Sequence, residues 1–261
     1  PVGSVVLQQK DELAELHFKE SGVKRTTPPL KPIDKKAVPR ERRVIAFSLW
    51  GSDEKYTLNA VLNAKLMHTI YPGWTARFYV DETVPEKIVE AIKAYGGQIQ
   101  RVAPDERDYL KLFWRFLAHD DPNIDLFMCR DCDAVINDRE AVAVNAWMLS
   151  DKSFHIMRDH PEHAELIMAG MWGGPANYLP PLMERAVAYY EVHSQKWRWV
   201  DQDFLRDQIW PAIREDSIIH DRCYEYGPGA TGFPPNAPEL PGGHVGGYNP
   251  ASWVMREEPE K

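Results

Sequence analysis

The stretch IDLFMCRDCD, residues 124–133, decides the fold. Residues 124–129, apolar except for Asp125, have the length of a buried strand. The run meets no turn residue and passes directly into Arg130, Asp131, Cys132 and Asp133. In open α/β sheets, ligands bind beyond the carboxyl ends of the strands. Two carboxylates two residues apart at such a place can both reach one hard cation. A Mn2+ or Mg2+ held this way keeps positions open for phosphate oxygens. A polar turn that merely closes a strand has the same pattern, so both readings stand on this motif alone.

Working outward, strand and helix alternate. Residues 44–49 (VIAFSL) read as a buried strand, and 56–70 have helical periodicity stopped by Pro72-Gly73. Residues 76–80 are a second strand. Residues 84–95 are a helix ended by Gly96-Gly97, and 99–102 are a third strand. Helical spacing recurs at 108–119, 139–149, 180–194 and 202–213, with a strand at 154–157. Short connections between alternating elements predict an α/β fold with a mostly parallel, twisted sheet flanked by helices. The Gly- and Pro-rich stretch 227–250 reads as a long functional loop or lid.

The chain has 261 residues, enough for one large α/β domain, and 31 Lys and Arg stand against 39 Asp and Glu. That acidic balance argues against a nucleic-acid-coating protein. No apolar run is long enough to span a bilayer. The chain begins at Pro1 without a signal pattern or an initiator Met, and reads as a piece of a longer protein. Residues 1–43 carry 10 basic and 6 acidic residues, and residues 21–43 hold four prolines. They read as an N-terminal helix and a Pro/basic linker, dispensable for chemistry, with 44–261 as a single catalytic-type domain. Three cysteines, with Cys129 and Cys132 as a lone C-x-x-C, fit a reduced cytoplasmic chain better than a zinc cage.

Two later segments add polar groups. Asp201-Gln202-Asp203 opens a helix, where an Asp is also an ordinary cap. His244 lies among four glycines, Gly242, Gly243, Gly246 and Gly247, in a loop whose backbone can approach a ligand closely.

The order of these pieces resembles GT-A-fold glycosyltransferases, most closely the retaining group that includes glycogenin and lipopolysaccharide galactosyltransferases. The resemblance covers about residues 44–250. It is carried by Asp53 and Tyr56 after the first strand, by Arg115 in YLKLFWR (109–115), by Asp131 and Asp133, by Asp201-Gln202-Asp203, and by His244-x-x-Gly247. The resemblance implies a metal-dependent transfer of a hexose from a nucleotide diphosphate sugar, a UDP-sugar first, to a saccharide or lipid-linked acceptor, with retention. It implies Mn2+ or Mg2+ on Asp131, Asp133 and His244. Donor contacts fall to Ser48, Asp53, Tyr56, Arg115, Asp131, Asp159 and Gly247, and Asp201 and Gln202 lie at the reacting carbon. The chain departs from the group in having Tyr248-Asn249-Pro250 where Lys-Pro-Trp is usual, and Met168-Ala169-Gly170 where Asn-x-Gly is usual. Arg158-Asp159-His160-Pro161-Glu162-His163 has no counterpart there. It reads as a loop of the catalytic face, with Arg158 or Asp159 touching sugar.

Two rival readings come from other classes. Asp131-Cys132-Asp133-Ala134-Val135 also satisfies the first motif of haloacid-dehalogenase-like phosphohydrolases, with Asp131 as nucleophile and Asp133 as acid/base. That motif normally ends the first strand of its fold, whereas three strands precede it here. A non-catalytic sugar-binding module would instead use aromatic faces such as Trp172, Trp197 and Trp199.

Overall fold

The computed structural model describes residues 2–20, 33–103, 107–193, 198–241 and 243–247. Among these, the strands are β1 (Arg43–Leu49), β2 (Thr75–Val80), β3 (Gln98–Arg101), β4 (Leu126–Arg130), β5 (Phe154–Arg158), β6 (Trp172–Pro175), β7 (Ser217–Asp221) and β8 (Ala230–Thr231). They form one sheet in the order β3-β2-β1-β4-β6-β5-β7-β8. β1 pairs in parallel with β2 and β4, β2 with β3, β5 with β7, and β7 with β8. Only β6 runs antiparallel, between β4 and β5. The expected α/β architecture with a mostly parallel sheet is therefore present.

Helices cover both faces, and the strands read accordingly. In β1, Val44 and Ala46 enter one core while Ile45, Phe47 and Leu49 enter the other. In β4, Phe127 and Cys129 face the first core, and Leu126 and Met128 the second. A strand buried on both sides has no polar face, which is why these segments look like continuous apolar runs. Cys129 and Cys132 lie in opposite cores, and their thiols meet the carbonyls of Arg115 and Ser48. They do not form a pair.

The helices are α1 (Val2–Glu20), α2 (Glu54–Ile70), α3 (Glu86–Ala94), α4 (Leu117–Asp120), α5 (Asp138–Leu149), α6 (Leu182–Val192), α7 (Val200–Phe204) and α8 (Trp210–Ile213). Two expectations need correction. The segment Asp108–Phe116 is a 3₁₀ helix, continued by only one turn of α4. Within it the Arg115 amide donates to Ser48 Oγ at 2.9 Å, so a backbone donor is spent on a strand hydroxyl. The helix foreseen at 202–213 is three pieces, α7, a π-helical turn Leu205–Ile209, and α8. Pro211 has no N–H to give to the carbonyl four residues back, and the α ladder breaks there.

The N-terminal helix is seated on the body. Leu7, Ala14 and Phe18 are buried. Asp11 accepts from Trp210 Nε1 at 2.9 Å, Arg214 Nη1 at 2.7 Å and the Tyr226 hydroxyl at 3.0 Å. Lys10 donates to the carbonyl of Ala164 at 2.7 Å and pairs with Glu165. Of the basic linker expected over residues 21–43, residues 21–32 lie outside the described residues, and 33–43 lead through a short 3₁₀ turn, Arg40–Arg42, into β1. No helix among the described residues is long and apolar enough to cross a membrane.

Candidate active site

β1 and β4 are adjacent and parallel, with Phe47 opposite Arg130. Their carboxyl ends therefore present Ser48 and Asp131 side by side. Arg115 arrives there because its 3₁₀ segment is tied to Ser48. Its guanidinium is buried and bridges two carboxylates. One Nη donates to Asp131, and the other donates to Asp201 Oδ2 at 2.6 Å. Residues separated by 16 and 86 positions are thus joined through one planar cation. Burial alone would lower the Arg115 pKa, but Asp131 and Asp201 outweigh it and hold the charge. Asp201 itself is pushed up to about 6 by burial, against the pull of Arg115. Arg115 was expected to touch the donor. With its side chain 5% exposed and both Nη ends engaged, it organises the two carboxylates instead.

Asp201 is no helix cap. The N-cap position of α7 is Trp199, which makes no side-chain cap bond, and Asp201 sits inside the first turn. Its free-standing bond is to the next amide, Gln202 N, at 3.0 Å. Gln202 is buried beside it.

Asp131 remains 44% exposed, enough to meet a ligand. Asp133 pairs with Lys55 Nζ at 2.8 Å. Lys55 lies in the first turn of α2, whose N-cap Asp53 accepts from the Lys55 amide at 2.9 Å. The same helix secures the loop after β4. Asn59 donates to the Asp133 carbonyl at 2.9 Å, and Asn63 bonds both the Ala134 carbonyl (2.8 Å) and the Ile136 amide (2.9 Å). Tyr56 is partly exposed at this mouth, with Lys55 Nζ 5.0 Å from its ring centre. Asp53 and Tyr56 are therefore at the site, the former with a capping role.

His244 is reached through Asp159. Asp159 was expected at the sugar, but it is buried and fully engaged. Arg139 Nε and Nη2 each bond it at 2.9 Å, and the Val245 amide bonds Oδ2 at 3.0 Å. Arg158 is likewise engaged within the protein. It is buried and paired with Asp221 at 2.9 Å. Val245 packs with Ala143, Met157 and Met171. The tail is thereby pinned over β5, and the His244 ring stacks on His160 with centroids 4.2 Å apart. Gly247 donates to the His244 carbonyl at 3.1 Å, and a Cβ there would fall 3.0 Å from the imidazole, so the glycine lets the ring lie flat on the turn.

The donor chemistry suits a hard divalent cation. His244 Nδ1 lies 3.0 Å from the Val245 carbonyl, which can only accept, so Nε2 carries the lone pair. The arrangement does not yet gather the three ligands. Among the described residues no three His, Cys, Asp or Glu side chains are grouped to hold a metal, and Lys55 occupies Asp133.

Three site residues had escaped the sequence reading. Gly170 lies against Asp131, where a Cβ would fall 2.0 Å from Oδ2. Lys55 and Arg139 are an ordinary lysine and arginine in helices until their partners are known. Of the proposed aromatic platforms, Trp172 is a core residue of β6, Trp197 lies outside the described residues, and Trp199 is exposed beside Asp201.

No protein-family model matches the chain, and no curated protein matches it. Solved structures do resemble it. A galactosyltransferase, LgtC, in complex with donor and acceptor sugar analogues is 16% identical, with 69% of this chain and 73% of that chain covered and a TM-score of 0.49. A glycosyltransferase involved in glycosylation of the major capsid of PBCV-1 is 16% identical over 69% and 82%, with a TM-score of 0.43. A 4-diphosphocytidyl-2C-methyl-D-erythritol synthase from Anaerococcus prevotii is 12% identical over 69% and 87%, with a TM-score of 0.38. The chain is thus similar to solved glycosyltransferases at a remote level, and the functional reading rests on the side chains of its own site.

Proposed function

We propose that this chain is a glycosyltransferase that moves a hexose from a nucleotide diphosphate sugar to a hydroxyl of a saccharide or lipid-linked acceptor. The observation that carries the reading is the Arg115 bridge. A buried guanidinium joins the carboxylate at the end of β4 to the carboxylate of α7. In this reading one carboxylate serves the diphosphate side and the other the reacting carbon.

Asp131, Asp133 and His244 are the groups that would hold Mn2+ or Mg2+. Such a cation supplies charge neutralisation for the leaving diphosphate. Arg115 fixes the orientation of Asp131 and Asp201 and opposes the burial that pushes the Asp201 carboxyl up to about 6. Gln202 has no useful pKa and cannot act as a base. Its place beside Asp201 favours transfer with retention, in which polar groups stabilise a developing oxocarbenium ion. Ser48, Tyr56 and the α2 terminus form the wall on the nucleotide side.

Calorimetry with UDP-, GDP- and CDP-sugars, with and without Mn2+, tests the reading. One sugar nucleotide binding in the presence of Mn2+, and losing at least tenfold affinity in Asp131→Asn, is the expected result. A protein that binds none of them refutes it. Proton NMR of the product reads the anomer, and an inverted product removes the retaining assignment.

A further inference from the structure

Two loops meet beside Asp131. One holds His160 and His163, and the other holds His244. Asp159 locks them together through Arg139 and the Val245 amide. The three rings form one cluster, with centroids 4.2 Å apart for His160–His244, 4.7 Å for His163–His244 and 5.9 Å for His160–His163. The His160 and His244 planes are within 21° of parallel. Imidazole lone pairs lie in the ring plane, so two stacked rings cannot share one metal. The cluster is therefore no three-histidine cage.

Hydrogen-bond bookkeeping gives the rings different tasks. A backbone N–H can only donate. The Asp159 amide donates to His163 Nδ1 at 3.1 Å, and the Glu162 amide donates to His160 Nδ1 at 3.2 Å. Each neutral ring must then carry its proton on Nε2. His244 is the reverse case, with its proton on Nδ1 and a lone pair on Nε2. His163 is 6% exposed, and its Nε2 has no partner among the described residues. Burial and the two neighbouring imidazoles hold the His163 pKa down to about 4, while Asp131 and Asp159 act on the ring in the opposite sense. The ring lies within electrostatic reach of Asp131.

Two neighbouring rings, 5.9 Å apart and each with an N–H donor, suit an oxygen that only accepts. Next to a carboxylate, an anion of that kind is tolerated only with a cation between them, the Mn2+ or Mg2+ that Asp131 and His244 would hold in the reading above. We propose that His163, with His160 beside it, donates hydrogen bonds to a diphosphate oxygen of the bound nucleotide. The assignment rests on the sugar-nucleotide reading above and gives the His160–His163 loop its task.

The test measures UDP, uridine and inorganic pyrophosphate by calorimetry, each with Mn2+, on the full chain. His163→Leu should weaken UDP and pyrophosphate about tenfold, in line with loss of one hydrogen bond to a charged group, and leave uridine unchanged. His163→Gln, which restores an N–H donor, should recover most of the loss. His160→Phe keeps the stacked ring at a partly exposed position, so it decides the matter if His163→Leu fails to fold. It should weaken UDP several-fold without affecting uridine. UDP affinity equal to wild type in both His163→Leu and His160→Phe overturns the proposal. So does a loss shared equally by uridine, which marks a packing role. Pyrophosphate binding that depends on these histidines, without any preference for a nucleotide, keeps the phosphate site and removes the sugar-nucleotide reading. A wild-type chain that binds neither pyrophosphate nor UDP removes both.

Discussion

At Asp133 the structure seats an ammonium where a divalent cation is proposed to bind. Lys55 and Asp133 are 2.8 Å apart, and Lys55 is 37% exposed. A pair so open to water is worth under about 1 kcal/mol. It is an occupant that a cation can displace, at the cost of some affinity. Lys55→Met should therefore raise Mn2+ affinity by roughly two- to fivefold, read by calorimetry of the protein without nucleotide. Unchanged or weaker Mn2+ binding would show that Asp133 is no ligand. Gly170 makes the complementary case. A methyl group there would fall 2.0 Å from Asp131 Oδ2. The carboxylate, being 44% exposed, can move away. Gly170→Ala should then keep its melting temperature within a few degrees while donor turnover falls by about tenfold or more, or about 1.4 kcal/mol in the barrier. Normal turnover would place Asp131 outside the chemistry.

Among the elements, α1 differs most from its expected role. Its sequence is that of a modest amphipathic helix ahead of a basic, Pro-rich stretch, which reads as a tether. The structure instead gives Asp11 three donors from α8, from the residue after it and from the loop before β8. Lys10 holds the carbonyl of Ala164, one residue beyond His163. Asp11→Ala leaves the Trp210 indole N–H without its acceptor, while Arg214 keeps Glu15 at 3.2 Å, and should cost about 1–3 kcal/mol, measured by urea denaturation. Removal of residues 2–20 should expose the apolar patch under Leu7, Ala14 and Phe18 and lower nucleotide affinity by loosening the 160–165 loop. A truncated chain as stable and active as the whole would restore the tether reading.

For the whole molecule, the buried imidazoles set the acid limit. His155 Nε2 and His220 Nδ1 are 2.8 Å apart between β5 and β7. Burial holds His220 down to about 4. Burial, followed by His220, Arg130 and Lys35, holds His155 well below the ordinary range. Unfolded, each would take a proton near pH 6.5. Their contribution is therefore complete above about pH 6.5 and is lost as the pH falls towards 4, at roughly 1.4 kcal/mol per pH unit for each ring held neutral. Urea midpoints measured from pH 7 to pH 4.5 should fall with that sign. His220→Phe should flatten the profile, and a profile as steep as wild type would exclude the pair as its source.

Alternation of apolar runs and helical periods determined the strands β1 to β5, with their order along the chain and the α/β class, because a strand buried on both faces needs apolar residues at every position. The same local logic placed Asp131 at a strand end and marked Asp201 and His244 as polar groups in unusual settings. Three things were decided only in three dimensions. β6 is written Trp-Gly-Gly-Pro, a sequence with poor strand propensity. It pairs antiparallel because bare backbone at Gly173 and Gly174 lets it lie against the Phe127 carbonyl and the Phe154 ring. Asp159 and Arg158 look like exposed polar groups in a Pro-containing loop, and become buried partners of Arg139 and Asp221. Arg115, finally, reaches Asp201 across 86 residues. Local sequence carries the propensities and periods of single elements. Which charges meet in the interior depends on chain closure over long separations, and the low dielectric there makes each such pairing obligatory.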